Sequence, residues 1–344
     1  MKALLLEGPG RPFVLATVPD PVPGPGEAVA RILACGAGLT IQHVRAGRQK
    51  VDFPRIIGHE IAGVIEAVGR DVAGLRVGDP VTAYFYLTCG HCRWCRIDRE
   101  TLCENFGGYV GRACDGGYAE LMKLPAQNFL KLPDGLDWKN HPAEVGVISD
   151  AIATPVKVIR RANITAWDTV AVIGAGGGLG IHMLMLTKWA HARTIAVERT
   201  TDKFDACRKA GADECISATN QDLTDALMQA SGGKGVDVVI DFVSTSETLT
   251  AAAKALGRGG RLVTLGGSSG GTFSAVARHL ISNEITLMGS RYATKQEVLD
   301  SLDLVARGEV WPLVTEIRPM AEAEALHARI ERGAITGRAA LSIG

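Results

Sequence analysis

The sequence has no long apolar run, no excess of either charge and no repeated segment. None of its apolar stretches approaches the ~18 residues that a membrane-spanning helix needs. Lys plus Arg and Asp plus Glu number 37 each, so nothing indicates nucleic acid or an anionic membrane as a partner. The apolar stretch near the N-terminus is too short for a signal peptide, and Glu7 and Pro9 interrupt it. A cytoplasmic location is therefore expected.

Length and composition are those of a well-packed globular protein. The 344 residues favour two domains, and the apolar and charged fractions of 47% and 22% are ordinary. Eight cysteines in a chain with no secretory signal indicate metal ligands or free thiols before disulfides.

The pattern of the sequence changes near residue 154. Taken together, the two patterns predict an α/β fold class. Residues 1–153 are rich in Gly, Pro and short alternating runs, which predicts a mostly β domain, and the tail 290–344 is expected to fold back onto it. Between them, apolar strands alternate with helices, which predicts a doubly wound parallel sheet over 154–289. The expected strands of that sheet are 169–173, 194–197, 213–216, 236–241, 261–266 and 285–288.

A glycine-rich turn follows the first of these strands and precedes a helix and a second strand. The second strand ends in an acidic residue, Glu198, roughly 20 residues past the turn, as in the dinucleotide-binding fingerprint. Glycines let the backbone approach a pyrophosphate, and the helix N-terminus offers free N–H groups to it. The alternative is an ordinary glycine-rich turn. The residues expected to bind the cofactor here are Gly174, Gly176, Gly177, Gly178, Leu179 and Gly180.

Glu198 favours NAD over NADP as the cofactor. A carboxylate can accept hydrogen bonds from a ribose 2′-hydroxyl, whereas it would repel a 2′-phosphate. Arg199, the next residue, leaves room for NADP.

Four cysteines with C-x2-C-x2-C-x7-C spacing form the second motif. Four thiolates at such spacing fit tetrahedral zinc with no open position, which is typical of a structural site. An iron–sulfur site and four unrelated thiols are the alternatives. The predicted ligands are Cys89, Cys92, Cys95 and Cys103.

Nearly the whole chain resembles the zinc-containing medium-chain dehydrogenase/reductases, the alcohol dehydrogenase superfamily. The resemblance rests on the blocks 58–69, 77–81 and 115–121, the four-cysteine lobe at about 88–104 and the glycine turn. It implies a GroES-like catalytic domain, an inserted Rossmann domain, and hydride transfer between a nicotinamide and an alcohol or carbonyl carbon. Homodimers or homotetramers are usual in that family.

The resemblance also implies active-site roles, with two departures. Thr40 and His43 match a proton relay, and His59 matches a ligand of a catalytic zinc, with Glu60 beside it. Asp150 matches the third ligand, although it could be only a helix N-cap, and His43 could be only a loop histidine.

The position of the ligand cysteine holds Gly38, and that of a supporting acid holds Ile41. The joint loss of a metal ligand and of the acid that supports a neighbouring ligand is consistent, because residues around the metal ligands hold them in their orientation. Cys35 could replace the missing ligand only in a tight turn, and the plainer interpretation is a buried thiol. Catalytic zinc is therefore expected to be absent or poorly held.

Two basic residues carry over from the family as cofactor contacts. Arg338 matches an arginine that pairs with the pyrophosphate, the alternative being a surface arginine in a terminal strand. Lys203 lies where the family has a lysine near the adenosine ribose.

The leading hypothesis for function is an NAD(H)-dependent oxidoreductase acting on a secondary alcohol, ketone or aldehyde. The second is a zinc-independent NAD(P)H reductase of an activated C=C or C=N bond. The third is a catalytically silent relative that keeps nicotinamide binding. Zinc content would separate the first two, since one zinc per chain indicates the structural site alone.

Overall fold

The computed structural model describes residues 1–219, 221–267 and 270–344. The chain divides into two compact units: the first contains 1–153 and 293–344, and the second contains 154–292. The expected second boundary, at residue 290, differs from this one by three residues.

The N-terminal segment of the first unit is mostly β-structure with short helices. Its strands are β1 (Lys2–Leu6), β2 (Phe13–Thr17), β3 (Glu27–Ala37), β4 (Arg55–Ile56), β5 (Ile61–Val68), β6 (Pro80–Ala83), β7 (Leu121–Pro125) and β8 (Phe129–Lys131). Its helices are α1 (Leu39–Arg45), α2 (Arg93–Arg96) and α3 (Pro142–Val147), followed by a π-helical turn at Ile148–Ile152.

The second unit alternates strands with helices, as the sequence predicts. After α4 (Ala153–Arg161), its strands are β9 (Thr169–Ile173), β10 (Arg193–Glu198), β11 (Glu214–Ser217), β12 (Val236–Asp241), β13 (Leu256–Thr264) and β14 (Thr286–Gly289). Its other helices are α5 (Gly180–Trp189), α6 (Phe204–Ala210), α7 (Leu223–Ala230), α8 (Ser246–Ala255) and α9 (Ala277–Asn283).

The tail returns to the first unit and adds two strands to its sheet. Its elements are α10 (Lys295–Ala306), β15 (Val314–Pro319), α11 (Ala323–Glu331) and β16 (Arg338–Ser342). The sheet order is β15-β16-β3-β5-β6-β8, and β7 also pairs with β3. Strand β16 is antiparallel to β3 with Ala339 opposite Ala37, so the start of β16 lies beside the end of β3.

The second unit contains a six-stranded parallel sheet in the order β11-β10-β9-β12-β13-β14. This order reverses between β9 and β12, and ligands of such sheets bind at the carboxyl ends of the strands at that point. The valines and isoleucines of β9 and β12 are buried, as is usual for strands of a parallel sheet that is covered on both faces. The predicted α/β fold class, with a mostly β domain and a doubly wound sheet, is confirmed.

One predicted boundary in this sheet was wrong. The strand expected at 261–266 begins five residues earlier, at Leu256, and ends at Thr264. Gly257, Gly259 and Gly260 hide its first half, because glycine is poorly suited to a strand interior.

Within the described residues, we find no helix with the length and apolarity needed to span a membrane.

Candidate functional site

The glycine turn occupies the carboxyl end of β9, at the point where the strand order reverses. Gly174 has φ of +79°, a conformation that favours glycine. A Cβ at Gly180, the first residue of α5, would lie 2.1 Å from the Gly174 carbonyl oxygen. The turn and the start of the helix therefore pack so closely that a side chain at position 180 would disrupt them.

Glu198, at the end of β10, is tied to this turn. Its carboxylate accepts a hydrogen bond from the Gly176 backbone N–H at 2.5 Å. Lys203 lies against the same turn, since a Cβ at Gly176 would be 2.7 Å from its Cδ. The structure therefore brings the predicted acid and lysine to the glycine turn. The residues present fit a dinucleotide: a side-chain-free turn, a helix N-terminus and a carboxylate beside them.

The four cysteines of the lobe converge, as their spacing predicts. The Sγ–Sγ distances are 3.5 Å for Cys92–Cys95, 3.6 Å for Cys89–Cys103 and 4.0 Å for Cys89–Cys95. A tetrahedral zinc with Zn–S bonds of ~2.3 Å places its sulfurs roughly 3.8 Å apart. The thiol set therefore fits a single tetrahedral ion, and the distances exceed that of a disulfide by more than 1 Å.

The lobe is also connected to the tail of the chain. Glu100, between Cys95 and Cys103, is 6% exposed and accepts a hydrogen bond from the Lys295 backbone N–H at 2.5 Å. Lys295 is the first residue of α10, so this carboxylate lies at a helix N-terminus, where negative charge is favourable. Sequence reasoning missed this link, because it joins residues 195 positions apart.

His59, Glu60 and Asp150 come together in the first unit. One potential ligand atom from each lies within 4.8 Å of the others, and all three residues are buried. His59 and Glu60 directly precede β5, and the Gly36 N–H of β3 donates to the Glu60 carbonyl at 2.7 Å. Asp150 lies inside the π-helical turn, three residues before α4 begins, so the N-cap interpretation was wrong.

Arg338 lies in the same pocket. Its Nε and Nη2 donate to the two carboxylate oxygens of Glu60 at 3.1 and 2.7 Å, and Nη2 also donates to Asp150 Oδ2 at 2.5 Å. The side chain is only 7% exposed, so the interpretation of Arg338 as a surface arginine was wrong. The structure gives this arginine carboxylate partners, and the pyrophosphate contact that the family resemblance implies stays a prediction.

Burial dominates the electrostatics of this pocket. It lowers the pKa of His59 to about 4, so the imidazole is neutral near pH 7. Burial raises the pKa of Glu60 to about 8, while the Arg338 guanidinium acts in the opposite direction. Burial also acts to lower the pKa of Arg338, but the charges of Glu60 and Asp150 outweigh it and raise that pKa.

These residues do not fit a catalytic zinc in the arrangement that the structure has. On the side of a metal, His59 Nε2 is buried with no hydrogen-bond partner among the described residues. Against it, the expected ligand cysteine is replaced by Gly38, and both oxygens of Glu60 are bonded to a cation. A divalent ion here would lie beside a buried guanidinium and be repelled by it.

Helix α1 presents the predicted relay residues one turn apart. Thr40 is exposed and His43 is half-buried. Thr40 and His59 line one cleft, which Phe85 also borders. The His59 ring stacks on Phe85 with ring centroids 3.7 Å apart, a contact that the sequence alone does not predict. Burial, followed by the charge of Arg48, lowers the pKa of His43.

Comparison with known proteins agrees with this architecture. Residues 24–134 match the alcohol dehydrogenase GroES-like domain, and residues 178–307 match the zinc-binding dehydrogenase family. An NAD-dependent alcohol dehydrogenase of Sulfurisphaera tokodaii is 31% identical over 99% of both chains. An acryloyl-coenzyme A reductase of the same organism is 31% identical over 91% of both.

A crystal structure of an NAD-dependent alcohol dehydrogenase superposes with a TM-score of 0.90 at 29% identity, covering 100% of each chain. Sequence matches along nearly the whole chain, the glycine turn and the two-unit architecture agree with one another. The chain therefore belongs to the zinc-containing alcohol dehydrogenase superfamily of medium-chain dehydrogenase/reductases.

Proposed function

We propose that the protein is an NAD(H)-dependent oxidoreductase that moves a hydride between nicotinamide C4 and the carbon of an alcohol, ketone or aldehyde. The observation that carries this proposal is the turn 174–180 at the reversal point of the parallel sheet, with Glu198 bonded to Gly176. The names of its relatives support the same chemistry.

The cofactor would be held by the turn, the N-terminus of α5 and the acidic end of β10. Backbone N–H groups of the turn and helix would bind the pyrophosphate. Glu198 would accept from the ribose hydroxyls and disfavour a 2′-phosphate, while Lys203 and Arg199 lie close enough in sequence to contact the adenosine end. The bound nicotinamide supplies the hydride acceptor or donor.

The proton would move through Thr40 and His43. The Thr40 hydroxyl would hydrogen-bond the substrate oxygen, and His43, one turn further along α1, would carry the proton to solvent. His43 is suited to accept a proton near pH 7, since its lowered pKa keeps it neutral there. Neutral His59 lines the same small cleft as Thr40, and its Nε2 would be available for a second hydrogen bond to the substrate.

The four-cysteine lobe would hold a structural zinc. All four thiolates would be ligands, so no position remains for substrate, and the role of the ion is to fix a loop with little core of its own. Glu100 would transmit that order to α10 through its bond to Lys295.

A second candidate is reduction of an activated C=C bond, and the pocket around Arg338 favours it. Without a divalent ion, an alkoxide has no strong Lewis acid to stabilise it. In a conjugated thioester, hydride would add to the β-carbon, the electron pair would shift to the α-carbon and a proton would be added there. The acryloyl-coenzyme A reductase among the relatives supports this alternative.

Steady-state assays of the purified protein would separate the two candidates. NADH and NADPH should be offered with a panel of ketones, aldehydes and enoyl thioesters, and NAD with secondary alcohols. Turnover of alcohols and ketones with NAD(H) supports the leading proposal. Turnover confined to enoyl thioesters supports the second, and tight NADH binding with no turnover contradicts both. Homodimers or homotetramers and a cytoplasmic location stay predictions.

A further inference from the structure

The pocket that the family resemblance assigns to a metal already contains a full positive charge. Arg338 makes three hydrogen bonds to Glu60 and Asp150, and two of them form a bidentate pair with Glu60. Bidentate arginine–carboxylate pairs are among the strong charge-assisted hydrogen bonds. The guanidinium therefore supplies one of the two positive charges that a divalent metal would bring to Glu60 and Asp150, and it engages carboxylate oxygens that a metal would use as ligands.

The register of two strands brings the arginine to this place. Arg338 is the first residue of β16, and Ala339 lies opposite Ala37 of β3. Gly38 directly follows the last residue of β3, so residues 38 and 338 lie beside each other at the end of this strand pair. The Arg338 N–H donates to the Leu313 carbonyl at 2.9 Å, which fixes the backbone from which the side chain extends.

Gly38 supplies the room that the guanidinium needs. A Cβ at this position would lie 2.5 Å from Nη1 and 2.9 Å from Cζ of Arg338. Its φ of −113° and ψ of 173° are ordinary extended values that any residue adopts. The glycine is therefore not required by backbone conformation, and its missing side chain is explained by the arginine packed against it.

We propose that Arg338 is the resident cation of the His59–Glu60–Asp150 pocket, that Gly38 admits it, and that the pocket binds no divalent metal while the arginine is in place. This inference rests on the geometry of the first unit and is independent of the proposed reaction. Its readouts are metal content and folding stability, so a failed activity assay leaves it intact.

Zinc content and zinc coordination of the purified full-length protein test the proposal directly. We expect one zinc per chain, with an X-ray absorption spectrum showing four sulfur neighbours at about 2.3 Å and no nitrogen or oxygen neighbours. Two zinc ions per chain, or a mixed nitrogen, oxygen and sulfur environment, would overturn it.

Replacement of the arginine should turn the pocket into a metal site. Arg338→Met removes the charge and leaves His59 Nε2, already without a partner among the described residues, together with two carboxylates. We expect this variant to take up a second zinc and to melt at a higher temperature when zinc is added. Gly38→Cys combined with Arg338→Met should bind that zinc more tightly. If either variant folds but still contains only one zinc per chain, that result would contradict the claim that the guanidinium excludes the metal.

A small substitution tests the role of Gly38 without removing the charge. Gly38→Ala should lower the melting temperature by several degrees, because the new methyl group displaces the guanidinium from its carboxylates. Gly289→Ala is the matched control, since a Cβ there meets nothing within 4 Å. Equal melting temperatures for the two variants would show that position 38 does not constrain the arginine.

Discussion

The Glu198 carboxylate accepts a hydrogen bond from the backbone N–H of Gly176, 22 residues earlier in the chain, at 2.5 Å. This contact joins the glycine turn to the end of the neighbouring strand before any nucleotide is bound. The same carboxylate that is expected to select the cofactor therefore also orders the loop that would bind it.

Replacement of Glu198 should relax the preference for NAD. Glu198→Ala removes the charge that would repel a 2′-phosphate, while Arg199 remains to attract one. We expect the ratio of kcat/KM for NADPH to that for NADH to rise by at least about tenfold, or ~1.4 kcal/mol.

The control for this variant is Asp205→Ala, which removes one negative charge from an exposed position of α6. It should leave the cofactor ratio unchanged. An unchanged ratio in Glu198→Ala would show that this carboxylate does not face the ribose.

Removal of metal from the cysteine lobe should loosen the start of α10. Cys103→Ser leaves three thiolates, so zinc content should fall and the Glu100 carboxylate should lose its fixed position. We expect faster hydrogen exchange at the Lys295 amide, measured by mass spectrometry of the peptide that contains it.

Cys215→Ser is the matched control for the lobe, because that cysteine is also partly exposed and lies outside the cluster. It should retain the wild-type zinc content and exchange rate. Wild-type protection of Lys295 in zinc-depleted Cys103→Ser would separate the lobe from the helix.

The relay on α1 predicts a loss of turnover that a conservative change restores. Thr40→Val removes the hydroxyl while keeping the branched shape, and kcat should fall by roughly 10²-fold or more. Thr40→Ser should recover most of it.

Because the pKa of His43 is lowered, alcohol oxidation through His43 should decline only below about pH 6.5, where the imidazole gains its proton. A pH profile that is the same in His43→Ala would exclude this histidine from the relay.

A buried histidine outside the site makes folding stability depend on pH. His327 shares hydrogen bonds of 2.8 Å with the Tyr118 hydroxyl and with Gln42 Oε1, and burial lowers its pKa to about 3. The unfolded chain binds the proton near pH 6.5, so stability is fully present above that pH and is lost as pH falls toward 3. The free energy of unfolding should decrease by up to ~1.4 kcal/mol per pH unit over this window.

Urea unfolding at several pH values measures that slope. His327→Gln should flatten it, whereas His191→Asn, at an exposed histidine with φ of +59°, should not. A slope that His327→Gln leaves unaltered would assign the acid sensitivity to other groups.

The sequence was most informative where local pattern determines structure. The second unit was predicted strand by strand, because β9, β10 and β12 contain short buried apolar runs and helices alternate with the strands. Strand β13 was misplaced only where its glycines obscure that pattern. The cysteine lobe could be predicted equally well, since its four cysteines lie within 15 consecutive residues.

The surroundings of Arg338 could not be predicted, since they depend on strand register. Positions 38 and 338 are 300 residues apart, and nothing local shows that a glycine and an arginine meet. The family resemblance predicts a missing ligand at Gly38, but it does not predict which group occupies the space. A small residue where a family has a ligand, together with an arginine in a strand that pairs with it, is the signal to seek in other chains.

The π-helical turn at Ile148–Ile152 has a consequence for the direction in which Asp150 points. Such a turn contains one residue more than an α-helical turn, so deletion of Ile148 or Ser149 would rotate Asp150 by about 100° about the helix axis, relative to α3. The direction of the Asp150 carboxylate therefore depends on the number of residues in the π-helical turn. In this chain, shortening the turn by one residue before Asp150 would move its carboxylate out of the pocket, although every side chain of the pocket would still be present.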